Sequence, residues 1–310
     1  MRIHSINYSI PENKIIDHVP KKTKWFATVV PGDLSTYIFD DEEGYYKDYQ
    51  NSVFAHTKKK AGWDCMRHYE ILANGCIPIF ENINEIPDGT MQTFPKNELK
   101  QFYKKIDSLV NEGDPNHPDI RNFIRYLIDY TKYNLTTVSE SKRFLSLCTK
   151  KTEPRVLFIS GDEKKCKKIN KPLETRVCYL KATTFHGLKT ILGTKVEEFP
   201  SMDYMYDDFP SDTPLYGKGF SYSRLLPSWM KNKVSKHEFL KNLKNNKYDL
   251  VIYGSVKHGL YGFKEYKSLR HFPKLIVLNG YDEQKESKFR RIYKDYTNMI
   301  MFIRELESKV

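Results

Sequence analysis

The sequence predicts an α/β protein with two domains, each built around a parallel sheet. Apolar runs of strand length alternate with segments of helical periodicity in the first part of the chain, as in parallel sheets joined by helical crossovers. A polar segment with a proline, residues 150–154, interrupts this order. A buried strand then begins at residue 155 and the alternation resumes. We therefore expect domains over residues 1–150 and 151–310.

The elements of the first domain follow from local patterns. Residues 3–10 alternate polar and apolar, which is typical of a strand, and Pro11 ends it. An acidic first turn favours a helix at 40–50. A capping Asn97 favours a helix at 98–111. The predicted strands are 3–10, 25–30, 53–57 and 76–80, and the predicted helices are 40–50, 65–74, 98–111 and 119–148.

The second domain shows the continuous apolar runs expected of strands buried on both faces. The predicted strands are 155–160, 196–199, 248–254 and 274–280, a last apolar run lies at 299–303, and the predicted helices are 173–192 and 237–245. Because parallel strands end at one edge of a sheet, the residues that follow them should line that edge. The ionisable candidates there are Asp203, His258, Asp282 and Glu283.

The composition indicates a folded protein. Hydrophobic residues make up 39% and aromatic residues 14% of the 310 positions, which excludes a disordered chain. No stretch approaches the ~20 apolar residues of a membrane span, and the N-terminus lacks the apolar core of a signal peptide. The five cysteines, at 65, 76, 148, 166 and 178, form no Cys-x-x-Cys pair, so neither a zinc site nor a disulfide framework is predicted. We therefore expect a cytoplasmic protein.

The net charge of +12 points to an anionic partner, which could be a nucleic acid, a membrane surface or a small substrate. The lysines lie in short scattered clusters, and no basic stripe is interleaved with aromatic residues as in proteins that bind single strands. A lysine-rich solvated surface explains this pattern as well, so a nucleic-acid partner is possible but not favoured.

Residues 53–80 organise the chain. They read as strand, lysine-containing loop, helix and strand, with Asp64 expected to cap the helix and Gly75 to end it. A helix start beside Lys58 and Lys60 favours an anion such as a diphosphate. Arg67 and Glu70 share one helix face, where a cation for phosphate and a carboxylate for sugar hydroxyls suit a nucleotide-sugar. The alternative is an ordinary ion pair between these two side chains.

The run Arg67-His-Tyr-Glu70-Ile-Leu-Ala-Asn-Gly75-Cys-Ile-Pro78 resembles the donor-site signature of GT-B glycosyltransferases, in particular the exostosin-like and CgeB-like types. The resemblance implies two Rossmann-like domains facing across a cleft, with Glu70 on the nucleotide ribose and Arg67 on the diphosphate. Many members that retain the anomeric configuration carry a further Glu at the position occupied here by Gly62. This departure leaves the stereochemical outcome open.

The resemblance also implies a metal-independent enzyme without a permanently bound cofactor, which uses a UDP- or GDP-sugar as substrate and a carbohydrate or other hydroxyl as acceptor. We expect Lys58, Lys60, Trp63, Asp64, Arg67 and Glu70 to bind this donor. In GT-B proteins the donor domain normally comes second, whereas the motif here lies in the first half. A circularly permuted GT-B order is therefore predicted, with the chain termini at the connection between the domains.

The second domain is expected to present the acceptor and, for an inverting reaction, a base. His258 and Asp203 are the candidates. The loops at 203–208 and 217–223 are rich in aromatic and hydroxyl groups, which suits sugar binding and plain surface loops equally.

Two other classes of function stay open. One is a nucleic-acid-associated protein, either a DNA-modifying glycosyltransferase or a non-catalytic basic binding module. The other is a methyltransferase built on the second half, ranked last because no acidic residue ends a clear second strand.

Overall fold

A computed structural model describes residues 2–161, 177–255, 273–282 and 299–308. The architecture is α/β with two parallel sheets. In chain order the strands are β1 (Arg2–Ser5), β2 (Lys24–Phe26), β3 (Ser52–Thr57), β4 (Ile77–Phe80), β5 (Val156–Ile159), β6 (Val196–Phe199), β7 (Leu250–Tyr253), β8 (Lys274–Asn279) and β9 (Met299–Ile303). The α-helices are α1 (Glu42–Asn51), α2 (Met66–Ala73), α3 (Lys96–Tyr103), α4 (Ile106–Asn111), α5 (Pro118–Asn134), α6 (Thr137–Cys148), α7 (Tyr179–Leu192) and α8 (Lys236–Lys244).

The larger sheet has six strands in the order β1-β9-β8-β7-β5-β6. Its strands are buried on both faces, which explains their continuous apolar runs. Val156 and Phe158 pack into a core with α6 and α7, whereas Leu157 and Ile159 pack on the opposite face with α8. The parallel register confirms that β5, β6, β7 and β8 end at one edge. The layers are consistent with a Rossmann-like fold.

The smaller sheet has three strands in the order β2-β3-β4. Strand β4 is an edge strand among the described residues and tolerates Pro78 there, because only one of its sides pairs with a neighbour. Helices α2 and α5 cover one face, where Leu72, Ile124 and Ile128 join the core. The other face packs against α1 through Tyr49. This sheet carries the motif that the sequence singled out.

Strand β1 differs from expectation, because it joins the larger sheet and not the sheet of the first half. It pairs with β9 in parallel, with Arg2 opposite Ile300. The chain then crosses to the smaller sheet, since Ile6 lies in the core of the larger sheet and Ile10 in that of the smaller one. It returns at α6, which packs on α7. The first and last described strands, β1 and β9, are thus neighbours in the larger sheet. A circularly permuted order would place them in this way, and that order stays a prediction.

Two predicted helices are each broken in two. The tract 119–148 divides after Asn134, because Leu135 leaves the helical conformation and Thr136 caps a new helix by accepting a hydrogen bond from the Ser139 N–H. The helix expected at 98–111 begins earlier, after Pro95 rather than Asn97, and is interrupted at Lys104–Lys105. No helix in the described ranges combines the length and the apolar character needed to cross a bilayer.

Candidate functional site

A cavity of about 370 Å³ lies between the two sheet units. Its walls come from four segments. These are the loop before α1 together with Tyr45 of α1, the loop before α2 together with the first turns of α2, the start of α7, and a turn at 216–220. The lining residues are Val29, Tyr37, Phe39, Tyr45, Lys60, Cys65, Met66, Arg67, Glu70, Tyr179, Tyr216, Gly217, Lys218 and Phe220. Of the residues expected to bind a donor, Lys60, Arg67 and Glu70 lie here.

Arg67 and Lys60 form the cationic side of the cavity. Both meet the Tyr37 hydroxyl, which accepts from Arg67 Nη2 at 2.8 Å and from Lys60 Nζ at 3.3 Å. The Arg67 guanidinium also lies 5.3 Å from the Tyr37 ring centroid. Arg67 Nε is buried and has no hydrogen-bond partner among the described residues. Because this nitrogen is closed off from solvent, a ligand in the cavity would meet the outer nitrogens of the guanidinium and not Nε.

Glu70 is the buried carboxylate of the cavity. Its Oε1 accepts from Ser221 Oγ at 2.5 Å and its Oε2 from the Tyr45 hydroxyl at 3.1 Å. Burial raises the pKa of Glu70 above its usual range, while these two hydrogen bonds and the nearby Arg67 charge oppose that rise. A carboxylate offers about four acceptor positions, so two remain for a ligand hydroxyl. The alternative of an Arg67–Glu70 ion pair is not realised among the described contacts.

The turn at 216–221 brings the second half of the chain to Glu70. Gly217, Gly219 and the non-glycine residues Lys218 and Ser221 all have positive φ. Such backbone conformations are costly for non-glycine residues and persist where contacts enforce them. Ser221 has those contacts, since its N–H donates to Glu42 at 2.7 Å and its Oγ lies 2.5 Å from the Tyr46 hydroxyl. The strained turn is therefore held against α1 and α2.

Aromatic rings form the rest of the lining. The ring of Phe220 stacks on Tyr45 at a centroid distance of 5.8 Å, and Phe39 lies 6.0 Å from the same ring. Tyr179 and Tyr216 meet edge to face at 5.9 Å. Rings with exposed faces beside hydroxyl groups suit the stacking of a base or a sugar. Among the described residues, no group of three or more His, Cys, Asp or Glu side chains is placed to hold a metal ion.

Asp64 lies outside this cavity, and the prediction that it caps α2 is wrong. Cys65 is the N-cap residue, without a side-chain hydrogen bond. The Asp64 carboxylate instead accepts from the Tyr8 N–H at 2.8 Å and from the Tyr69 hydroxyl at 3.0 Å. These partners fully bury it, and burial raises the pKa of Asp64 to about 7 although the charge of Arg304 opposes the shift.

A closed ionic cluster surrounds Asp64. Arg304 is 1% exposed and donates to the Asp64 carbonyl and to the Asp282 carboxylate, and it pairs with Glu305 at 2.9 Å. The Glu305 carboxylate in turn accepts from the N–H groups of Trp63 and Asp64, both at 3.0 Å. The C-terminal segment thereby fastens the loop before α2. Asp282, a candidate at the strand edge, belongs to this cluster.

Position 62 is explained by the same cluster. A Cβ atom added to Gly62 would lie 2.6 Å from Glu305 Oε1 and 3.0 Å from Arg304 Nη2. Any side chain at this position would displace a buried ion pair. The packing of this loop against Glu305 and Arg304 therefore favours glycine at position 62.

The remaining predicted site residues are not brought to the cavity. Lys58 lies 3.4 Å from Glu81 in a half-exposed ion pair, and Trp63 is buried under the Lys59 ammonium. Asp203 accepts from Ser201 at 2.8 Å and is half exposed on a different loop. His258 and Glu283 lie outside the described residues, and so does Cys166.

Sequence reasoning missed the residues that complete the site from a distance. Ser221, Tyr45 and Tyr179 come from three separate segments, and nothing in their local sequence links them to Glu70. The one available signal was the aromatic and hydroxyl-rich loop at 217–223, which does reach the cavity. The companion loop at 203–208 does not, because Tyr204 and Tyr206 are buried in the core of the larger sheet.

Comparison of the chain with protein-family models, with curated proteins and with solved structures gave no match. The chemistry of the cavity is therefore argued from its own residues.

Proposed function

We propose that the protein is a glycosyltransferase that moves a sugar from a nucleotide-sugar to a hydroxyl acceptor. The observation that carries this proposal is the convergence of Arg67, Lys60 and Glu70 on one aromatic-lined cavity between two parallel-sheet units. Cations, a buried carboxylate and ring faces are the three kinds of group that a nucleotide-sugar requires for its diphosphate, its hydroxyls and its base.

The cationic side would hold the diphosphate. Arg67 offers its guanidinium and Lys60 its ammonium at the same wall, where both are held by the Tyr37 hydroxyl. When the bond between the sugar C1 and the diphosphate oxygen breaks, negative charge grows on that oxygen. Fixed cations in a partly dry cavity stabilise this charge more than water does, which lowers the barrier. The proposal thus needs no resident cofactor for charge neutralisation.

Glu70 would orient the nucleotide ribose. Its carboxylate is fixed by Ser221 and Tyr45, so little side-chain freedom is lost when a hydroxyl binds. The Tyr45 ring contacts the rings of Phe39 and Phe220, and this aromatic group can stack a base beside Glu70. The acceptor hydroxyl would then approach from the Tyr179 and Tyr216 side. As the bond between C1 and the diphosphate oxygen breaks, a bond forms between the acceptor oxygen and C1, and the departing diphosphate can accept the proton of the hydroxyl.

The test is sugar transfer by the purified protein, with the donor first found by a thermal-shift screen against UDP-, GDP-, CMP- and dTDP-sugars. We expect Glu70→Ala and Arg67→Ala each to lower transfer at least about a hundredfold while the folded state survives. Lys58→Ala is the matched control, because Lys58 is a cation of the same loop that does not line the cavity. Full activity in both cavity variants would overturn the donor site.

The nucleic-acid alternative has a separate signature. A binding module for DNA or RNA would lose affinity steeply as salt rises, without turning over a nucleotide-sugar. The buried Glu70 carboxylate disfavours a polyanion in this cavity. Salt-sensitive DNA binding that Arg67→Ala abolishes, with no response to any nucleotide-sugar, would replace the proposed function.

A further inference from the structure

An exposed apolar surface borders the cavity. Nine large hydrophobic side chains are exposed among the described residues, and five of them fall within residues 26–38. We call these five the rim patch: Phe26, Val30, Leu34, Tyr37 and Ile38. Leu34 is 83% and Ile38 62% exposed. Large aliphatic side chains grouped in this way on a surface mark an interaction site.

The loop that carries the rim patch is ordered without burying it. The Asp33 N–H donates to the Val30 carbonyl at 3.1 Å, and Thr36 bridges Val30 and Asp33 through its hydroxyl. Asp33 also accepts from Ser35. The polar groups of the turn are thus satisfied within the turn itself, and Leu34 projects from its tip. A side chain that is 83% exposed at the tip of a turn does not line a groove of the kind that receives a helix of a partner protein.

Cations flank the rim patch. The Lys58 ammonium lies next to the backbone at Gly32, where an added Cβ would meet it at 3.8 Å. The Lys60 ammonium lies 5.5 Å from the Tyr37 ring centroid, and Lys59 is exposed between them. Of the nearby carboxylates, Asp40 is paired with Lys218 at 2.6 Å, Glu81 with Lys58 at 3.4 Å, and Asp33 accepts from Ser35 within the turn, so among the described residues here Lys59 and Lys60 carry the uncompensated positive charge. Protruding aliphatic side chains beside a lysine cluster complement an anionic lipid surface, into which isolated side chains insert without a preformed pocket.

The rim patch is continuous with the cavity wall. Tyr37 belongs to both, and Val29, adjacent to Val30, lines the cavity. A bilayer seated on the patch would therefore lie at the mouth of the cavity. We infer that this face docks on an anionic bilayer surface and presents the cavity to acceptors located there. The inference rests on the proposed function only in naming the acceptor as a hydroxyl held at a lipid surface.

The test is flotation of the full chain with vesicles of phosphatidylcholine, with and without phosphatidylglycerol, in the absence of any nucleotide-sugar. We expect binding to the anionic vesicles, weakened by salt, and a loss of at least about tenfold in the double variant Leu34→Ser/Ile38→Ser. Lys58→Gln/Lys59→Gln should remove the preference for phosphatidylglycerol. The matched control is Tyr133→Ser/Trp229→Ser, which removes two exposed rings elsewhere and should bind like the wild type.

Two results would overturn the inference. One is wild-type protein that does not bind anionic vesicles. The other is a Leu34→Ser/Ile38→Ser variant that binds them as well as the wild type; if that variant also changes oligomeric state in sedimentation, the patch is assigned to a second copy of the chain. Leu34 and Ile38 do not line the cavity, so nucleotide-sugar binding by the rim variant should match the wild type. Vesicle flotation thus tests the docking surface, and nucleotide-sugar binding tests the proposed function, so either one can fail without the other.

Discussion

Two carboxylates near the start of α2, Asp64 and Glu70, are both buried and yet do different things. Asp64 is 3% and Glu70 6% exposed. The Asp64 carboxylate accepts from the Tyr8 N–H and the Tyr69 hydroxyl, and the backbone of the same residue bonds to Arg304 and Glu305. Glu70 borders the cavity together with the cationic Arg67, whose guanidinium donates to the Tyr37 hydroxyl and has no carboxylate partner among the described residues.

The difference teaches that burial alone does not identify a functional carboxylate. Both groups have a raised pKa because both are removed from water. What separates them is whether the chain itself completes their surroundings. The Asp64 cluster joins residues 304–305 to the loop before α2 and stabilises the fold there. The Glu70 group leaves acceptor and donor capacity open toward a space that a ligand can fill.

Loss of Arg304 gives the largest expected effect and tests the closed cluster. Arg304→Met leaves Asp64, Glu305 and Asp282 without their buried cation, which should lower the free energy of unfolding by about 3–5 kcal/mol. Urea denaturation measures this change. Arg67→Ala is the comparison, because Arg67 has no ion pair among the described residues and should cost less than about 1 kcal/mol. Equal losses of unfolding free energy in the two variants would contradict the distinction between the closed Asp64 cluster and the Glu70 cavity.

The second effect is a pH dependence that belongs to Asp64. Its pKa is about 7 in the folded chain against 3.8 for the free side chain, so the folded state holds the proton more tightly. The resulting stabilisation is present below pH 3.8 and is lost as the pH rises through about 7. Between these limits the wild type should lose on the order of 4 kcal/mol relative to Asp64→Asn.

Urea denaturation of both proteins across this pH range provides the measurement. Glu305, which contacts the same loop, has a raised pKa for the same reason and should add a slope of the same sign. Parallel stability curves for the wild type and Asp64→Asn would show that Asp64 is ionised throughout, and would contradict the closed, dehydrated cluster.

The smallest effect concerns Ser221, which supports Glu70 from the other half of the chain. Ser221→Ala and Ser221→Gly both remove the hydroxyl that donates to Glu70, so each should weaken donor binding by about threefold to tenfold. The two variants differ in backbone strain, since Ser221 has φ +66°. Glycine relieves that strain, and Ser221→Gly should exceed Ser221→Ala in stability by about 1 kcal/mol. Unchanged donor binding in both variants would show that the Ser221 hydroxyl does not help to position Glu70 for a ligand.

Local patterns predicted much of this fold because they depend on neighbours in sequence. The apolar runs of β5, β7, β8 and β9 and the Gly75 stop after α2 lie where the sequence placed them, with ends shifted by a residue or two. The pairing of β1 with β9 could not be predicted from local patterns, because strands almost three hundred residues apart pair without any pattern in the sequence around either strand. Likewise, an apolar tract of helical spacing does not show that Thr136 starts a second helix.

The same limit applies to the site. Arg67 and Glu70 were found because their spacing on one helix is a local property. The partners that decide their roles, Ser221 for Glu70 and Glu305 for the loop at Gly62, are far away in sequence. Asp64 was given a cap and donor role from its position before α2, whereas the distant Arg304 determines what it does.

The most direct measurement is calorimetric titration of nucleoside diphosphates into the wild type, Arg67→Ala and Lys58→Ala. One nucleoside diphosphate should bind the wild type and Lys58→Ala equally, and its affinity for Arg67→Ala should fall by at least about tenfold. The corresponding monophosphate should bind more weakly to the wild type. The cavity would not be a donor site if no nucleoside diphosphate bound, or if Arg67→Ala bound it as tightly as the wild type.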